Sequence, residues 1–240
     1  MEKLQEIINN SNNIVFFGGA GVSTESGLKD FRSKDGIYNM KYNIPPETIL
    51  SHSFFMNHCE EFYDFYRNFI LYDENKVKPN ICHFKLKELE DIGKLKAIIT
   101  QNIDGLHQKA GSKNVIELHG TIMKNYCCQC FKEFDGYNFI KKCQKIPRCN
   151  VCGGIIKPKV VLYEESLDNS CLNKAIYFIE NCDTLIVAGT SLTVYPAAGL
   201  IRYFKGKNLI IINYQTTNYN QIADLIINDS ICKTFANIKI

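Results

Sequence analysis

The chain has 240 residues, 45% of them hydrophobic, which suffices to bury one substantial core and argues against disorder. Its formal charge of +3 is dispersed, so no direct nucleic-acid binding is expected, only a weak preference for acidic partners. No run approaches the roughly 18 apolar residues of a membrane span, and residues 1–13 mix acidic and amide side chains where a signal peptide needs an apolar stretch, so a cytoplasmic protein with no membrane association is expected.

Leu4, Ile7 and Ile8 recur at helical spacing ahead of an apolar run at 14–17 that meets Gly18, Gly19 and Gly21. The pattern predicts helix, buried strand and tight turn, with Ser23, Thr24 and Ser26 placed to start another helix. Residues 36–80 are rich in Tyr, Phe and Asn, and a helix is predicted over 60–72. Further apolar runs lie at 95–100, 115–118, 160–162, 185–188, 209–212 and 223–227, some separated by helix-length segments such as 167–181. Continuous apolar strands interleaved with helices predict an α/β fold, a Rossmann-like parallel sheet with helices on both faces. Its expected extent is 1–35, 81–119 and 158–240. A smaller module is expected from a helical insertion at 36–80 and a zinc ribbon at 120–157.

The ribbon rests on the cysteines. The total of eleven is odd, and two pairs stand out, Cys127-x-x-Cys130 and Cys149-x-x-Cys152, with eighteen residues between them. That spacing suits two knuckles whose four thiolates complete a tetrahedron around one structural Zn²⁺ in a reducing compartment. Cys128 and Cys143 break the pairing and are left out. Four cysteine ligands leave no open position for water or substrate, so the chemistry is expected elsewhere.

Gly19-Ala20-Gly21 after a buried strand suits close approach of a pyrophosphate, although such turns also occur for structural reasons alone. The full stretch from Gly19 through Thr24, Gly27, Asp30, Phe31 and Arg32 to Ser33 resembles the NAD-binding signature of the sirtuin family. Three more segments match that family in order: Gln101-Asn102-Ile103-Asp104-Gly105-Leu106-His107, Leu118-His119-Gly120, and Gly189-Thr190-Ser191-Leu192 followed by Val194-Tyr195-Pro196-Ala197. The resemblance, most like the bacterial sirtuins outside the desuccinylase group, spans about residues 1–235. Departures are Leu28-Lys29 for Ile-Pro, Gly18 for Thr, and Glu164-Glu165 for Gly-Glu.

The resemblance implies an enzyme that consumes NAD as co-substrate and removes acetyl groups from protein lysines, transferring them to ADP-ribose with release of nicotinamide. It places Gly19, Ala20, Gly21, Thr24, Gly189, Thr190 and Ser191 in the NAD loops, Phe31 over the nicotinamide side and Arg32 among the cofactor-binding residues. Ile103 and Asp104 would contact the carboxamide, Gln101 and Asn102 the ribose and its water. Asn213, after the strand at 209–212, is placed for the adenine ribose, and the family puts a backbone contact near Ile231. His119 is the expected general base; an imidazole has a pKa near working pH, and this one ends a strand where open α/β sheets place ligands. His107 is read as supporting its loop and His83 as helix packing. Val160 is offered as a peptide contact. Family members that prefer succinyl-lysine carry Tyr-x-x-Arg; here that spacing from Tyr63 falls on Tyr66, with Arg67 one position later, so acetyl is expected while Tyr63 and Arg67 remain the acyl-pocket candidates. The alternatives are mono-ADP-ribosyl transfer at the same NAD site and a non-catalytic zinc-ribbon binding module. The oligomeric state is not legible.

Overall fold

Val15 and Phe17 pack into one core and Ile14 and Phe16 into another, because their strand is covered on both faces. Each fully buried phenylalanine contributes roughly 1.5–3 kcal/mol by leaving water. The computed structural model describes residues 1–31, 36–39 and 44–240. Along the chain its strands are β1 (Ile14–Gly18), β2 (Leu95–Thr100), β3 (Val115–Glu117), β4 (Gly120–Cys127), β5 (Glu133–Asp135), β6 (Ile156–Val160), β7 (Thr184–Ala188), β8 (Asn208–Ile212) and β9 (Leu225–Ile227).

Six of these form one parallel sheet in the order β3-β2-β1-β7-β8-β9. Helices Glu2–Asn10, Ile81–Asp91 and Ile231–Ala236 cover one face through Leu4, Ile8, Leu86, Leu89 and Phe235. Helix Asn169–Glu180 and the 3-10 segment Ala197–Tyr203 cover the other through Ala175, Ile179, Leu200 and Ile201. From β1 the chain builds outward through β2 and β3, then returns to place β7 on the opposite side of β1. The order therefore reverses between β1 and β7, and a crevice opens at their carboxyl ends, where sheets of this kind bind ligands. Gly18 and Ala188 end those two strands.

Two expectations are corrected. The run at 160–162 is not a strand of the parallel sheet: Val160 ends β6, which pairs antiparallel with β4 in a separate sheet of order β5-β4-β6. An apolar run reports burial, not the partner, and the cysteine knuckles bring the flanks of the 120–157 insertion back side by side. The glycine turn does not enter an α-helix either; two 3-10 turns, Ala20–Val22 and Thr24–Ser26, follow it.

A third core lies outside the main sheet, built from aromatic side chains of 54–72 with Ile122, Tyr137, Ile140, Val160 and Leu162. Within it helix Cys59–Phe65 widens into a π turn, Tyr66–Ile70, closed by Leu71 N–H donating to the Tyr66 carbonyl at 3.0 Å. No helix of the described residues is long and apolar enough to cross a membrane.

Candidate functional site

At the β1/β7 switch point the two glycine loops lie backbone to backbone. A Cβ on Gly21 would stand 2.7 Å from Gly189 Cα, and one on Gly189, at φ +63°, 2.5 Å from Val22 N. Gly21 N–H donates to the Gly189 carbonyl at 2.9 Å. Only hydrogen fits at both places, and the contact shapes the floor of a cleft of about 460 Å³.

The cleft brings most of the expected residues together. Ala20, Gly21, Thr24, Phe31, Gln101, Asn102, Ile103, His119, Val160, Gly189, Thr190, Ser191, Asn213 and Ile231 all line it. Gly19 stands behind the wall, its N–H on the Ala188 carbonyl. Gln101 donates to Thr190 Oγ1 at 2.9 Å and Asn213 to the Thr190 carbonyl at 2.6 Å, so side chains tie β2 and β8 to the β7 loop. Arg32 lies outside the described residues.

Asp104 is buried just off the cleft. Its carboxylate accepts Ser23 Oγ–H at 2.7 Å and Leu106 N–H at 2.9 Å, and Asn102 Nδ2 donates to the same Ser23 oxygen. Burial raises the Asp104 pKa, and these hydrogen bonds oppose the rise. Ser23 therefore links Asp104 to the first glycine loop, a role the sequence reading missed by treating it as a helix start.

His119 follows β3 and precedes Gly120, which must be glycine: at φ +73° a Cβ would stand 2.0 Å from the Lys159 carbonyl oxygen. His119 Nδ1 lies 2.9 Å from the Gln101 carbonyl. A carbonyl only accepts, so Nδ1 carries the proton and Nε2 is left with its lone pair. Burial lowers the His119 pKa against the opposing pull of that carbonyl, keeping the ring neutral at pH 7. The arrangement is that of a base.

The structure does not bring Tyr63 or Arg67 to the cleft. Tyr63 is fully buried with its hydroxyl on the Ile156 carbonyl. Arg67 donates to the Lys145 carbonyl at 2.8 Å and to Asp64, and its guanidinium sits 5.9 Å from the Tyr63 ring centre. The wall holds Tyr66 and Ile70 instead. A helix carries i+3 and i+4 round one face, but the π turn resets that rotation after Phe65.

Glu164 occupies a left-handed backbone position at φ +74°, which explains why the resembling family carries glycine there. Here its carboxylate accepts the N–H and hydroxyl of Ser53 at 2.8 and 2.9 Å, offsetting the strain. Beside it, burial raises the Glu165 carboxyl, but Leu162 N–H, His52 and buried Lys157 outweigh that and hold its pKa low. The pair clamps the segment after β6 onto helix His52–Asn57.

Around the loop at 101–107, His83 and His107 are buried with ring centres 4.7 Å apart. His83 Nε2 and both His107 nitrogens lack a hydrogen-bond partner. Burial pushes His83 down to about 4 and His107 well below its ordinary 6.5, the neighbouring His83 adding to the latter. The unfolded chain thus takes up protons below pH 6.5 that the folded chain refuses. This stability is complete above 6.5 and is lost as pH falls towards 4, on the order of 3 kcal/mol for His83 alone. Urea midpoints should fall over that window, less steeply in His83→Gln; equal slopes in the two proteins would show that the ring is not held neutral.

The four cysteine sulfurs lie within 4.8 Å of one another, with Cys127–Cys152 at 3.4 Å and Cys130–Cys149 at 3.7 Å. A zinc tetrahedron with bonds near 2.3 Å has edges of about 3.8 Å, so the donor set fits. Backbone N–H groups of Gln129 and Val151 point at Cys127 and Cys149 Sγ, as a thiolate knuckle requires. Cys128 and Cys143 stay outside the cluster.

The Sir2 family model matches residues 19–196. An "NAD-dependent protein deacetylase" of Clostridium perfringens is 57% identical, with 99% of this chain and 98% of the relative covered, and one of Clostridium acetobutylicum is 56% identical over 99% and 97%. Among solved structures, a Sir2 complex with a p53 peptide and NAD⁺ superposes with a TM-score of 0.86 at 38% identity, covering 98% of this chain and 95% of the other. Sir2Tm bound to a propionylated peptide gives 0.86 at 37% over the same shares. With the two-loop cleft, the parallel sheet and the four-cysteine cluster already in place, this agreement along nearly the whole length means that the chain belongs to the Sir2 family.

Proposed function

We propose that the protein is an NAD-dependent protein-lysine deacetylase. The observation that carries this is His119, its Nδ1 committed to the Gln101 carbonyl and its Nε2 available in the same cleft as both glycine loops. NAD⁺, acetyl-lysine and water become nicotinamide, lysine and O-acetyl-ADP-ribose; nicotinamide leaves with the electron pair of its ribose bond and the acetyl group ends on a ribose hydroxyl. The chain's part is to bind, orient, exclude water and move one proton. The glycine loops admit the pyrophosphate, Asn213 and Ile231 line the adenosine end, and Phe31 with Ile103 keeps water from the reacting carbon. Asn102 lines the cleft beside the ribose, and Asp104, buried just behind it and joined to it through Ser23, is the candidate acceptor for the carboxamide. His119 takes the hydroxyl proton. Val160, at the end of β6, contacts the peptide backbone. The four reduced thiols the zinc cluster needs favour a cytoplasmic setting.

Incubation with acetylated peptide and NAD⁺, read by mass spectrometry, should show loss of acetyl together with O-acetyl-ADP-ribose. Gain of ADP-ribose on the protein instead would favour the transferase reading, and silence on both would favour a binding module.

Acyl choice follows from the wall. Among the described residues lining the cleft there is no lysine or arginine, and Arg67 is engaged elsewhere. A buried succinyl carboxylate would lose water without gaining a cation, so kcat/KM on acetyl-lysine should exceed that on succinyl-lysine at least tenfold, roughly 1.4 kcal/mol. Arg67→Met should leave the ratio where it is. A parent enzyme that prefers succinyl-lysine would refute this account of the wall.

A further inference from the structure

Strand β6 is the edge strand of its three-stranded sheet and pairs with β4 on one side only. Val160 at its end, and Val161, Leu162, Tyr163 and Glu164 after it, line the cleft. An extended peptide added along that edge, with Val160 as its contact, runs on past Tyr163 and Glu164. Backbone pairing does not distinguish one side chain from another. A preference for particular peptides must therefore come from the side chains that flank the edge.

Two carboxylates stand there, and their surroundings differ. Glu165 is partly buried and is met by Lys157 at 3.0 Å, with His52 on its other oxygen at 2.8 Å. Glu164 is exposed, and its two oxygens accept from the N–H and hydroxyl of Ser53 at 2.8 and 2.9 Å. Those donors are neutral, so they hold the carboxylate in place without cancelling its charge. None of the ion pairs among the described residues includes Glu164, and the described cleft wall offers it no lysine or arginine. A fixed, unpaired anion beside a substrate groove attracts a cation and repels a second anion. The net charge of +3 points the other way, towards acidic partners. Salt screens dispersed surface charge beyond about 8–10 Å, however, and within that distance of the groove the local carboxylate governs.

We propose that Glu164 is a specificity determinant for the protein substrate, selecting acetyl-lysines that have a lysine or arginine one or two residues away in the sequence. The inference rests on the deacetylase reading above and refines its substrate class. The chemistry of transfer is untouched; what changes is which peptide enters. Because the resembling family carries glycine at this position, the charge is a property of this chain and not a requirement of the reaction.

The test uses acetyl-lysine peptides in which each of the two positions on either side carries Lys, Gln or Glu in turn, with kcat/KM measured in the parent, in Glu164→Gln and in Glu164→Gly. In the parent at low salt, Lys should exceed Glu about fivefold at one position or more, with Gln between them, the size of an exposed ion pair. The ratio should shrink towards one as salt is raised. In Glu164→Gln it should fall below about twofold. Glu164→Gly, whose residue suits the left-handed backbone, should give the same loss and so separates charge from strain. Each ratio is taken within one protein, so a general loss of stability or activity in a variant does not move it. No preference at any position, a preference for Glu, a preference indifferent to salt, or one that survives both substitutions overturns the proposal. A parent inert on every acetyl peptide refutes the deacetylase reading instead, whereas one active on all of them without regard to charge refutes only this inference.

Discussion

His119→Ala should lower kcat by roughly 10²–10⁴-fold, the usual worth of a positioned general base. The Kd for NAD⁺ should stay within about threefold, because ground-state binding is spread over other groups. The glycine loops, Gln101, Thr190 and Asn213 form a connected frame that does not depend on the imidazole. What the imidazole adds is a lone pair at Nε2, fixed there by the Gln101 carbonyl on the other nitrogen. The parent enzyme should therefore lose kcat/KM only as pH falls through a His119 pKa held below 6.5 by burial, since the deprotonated ring is the working form. Calorimetric titration of NAD⁺ beside steady-state rates checks both halves. Turnover near that of the parent in His119→Ala would remove the residue from its role; lost NAD⁺ binding would make it a binding residue instead.

How far the site could be read from sequence depended on whether a residue's role is local. The strands at 14–17, 185–188 and 209–212 were legible because a strand buried on both faces needs an unbroken apolar run, and these have one, while 95–100 is interrupted only at exposed Lys96 before its polar end at Thr100. The run at 160–162 carries the same signal, yet it belongs with β4, since pairing is decided by a knuckle some thirty residues of chain away rather than by its own composition. The acyl wall failed for another reason. Helical spacing from Tyr63 points at Tyr66 and Arg67, but the helix widens into a π turn for which no periodicity gives notice, and of the three only Tyr66, itself buried, lies in the cavity wall. Glu164 shows why a departure from a family pattern need not change the fold: two hydrogen bonds from Ser53 let a glutamate hold the left-handed backbone where the family carries glycine.

Cys149→Ser should lose its bound zinc and melt far below the parent although the metal takes no part in the reaction. Structural zinc in small modules binds with an apparent free energy of roughly 10–16 kcal/mol at pH 7, comparable to the whole stability of a domain, about 5–15 kcal/mol. Serine at one corner of the sulfur cluster weakens the site that holds the two knuckles together, and those knuckles are what set β4 beside β6. The damage should travel to the cleft by a short route: β4 begins at Gly120, the residue after His119, and Val161 N–H donates to the His119 carbonyl at 3.0 Å. Deacetylation should therefore fall with the loss of fold, in parallel with metal content and melting temperature. Cys128→Ser, at a cysteine outside the cluster, should keep its zinc and separate a general cysteine effect from a ligand effect. A folded Cys149→Ser protein that works at the parent rate without metal would refute the structural role. Loss of activity in a variant that keeps both zinc and fold would show instead that Cys149 acts on the cleft by some means other than the metal.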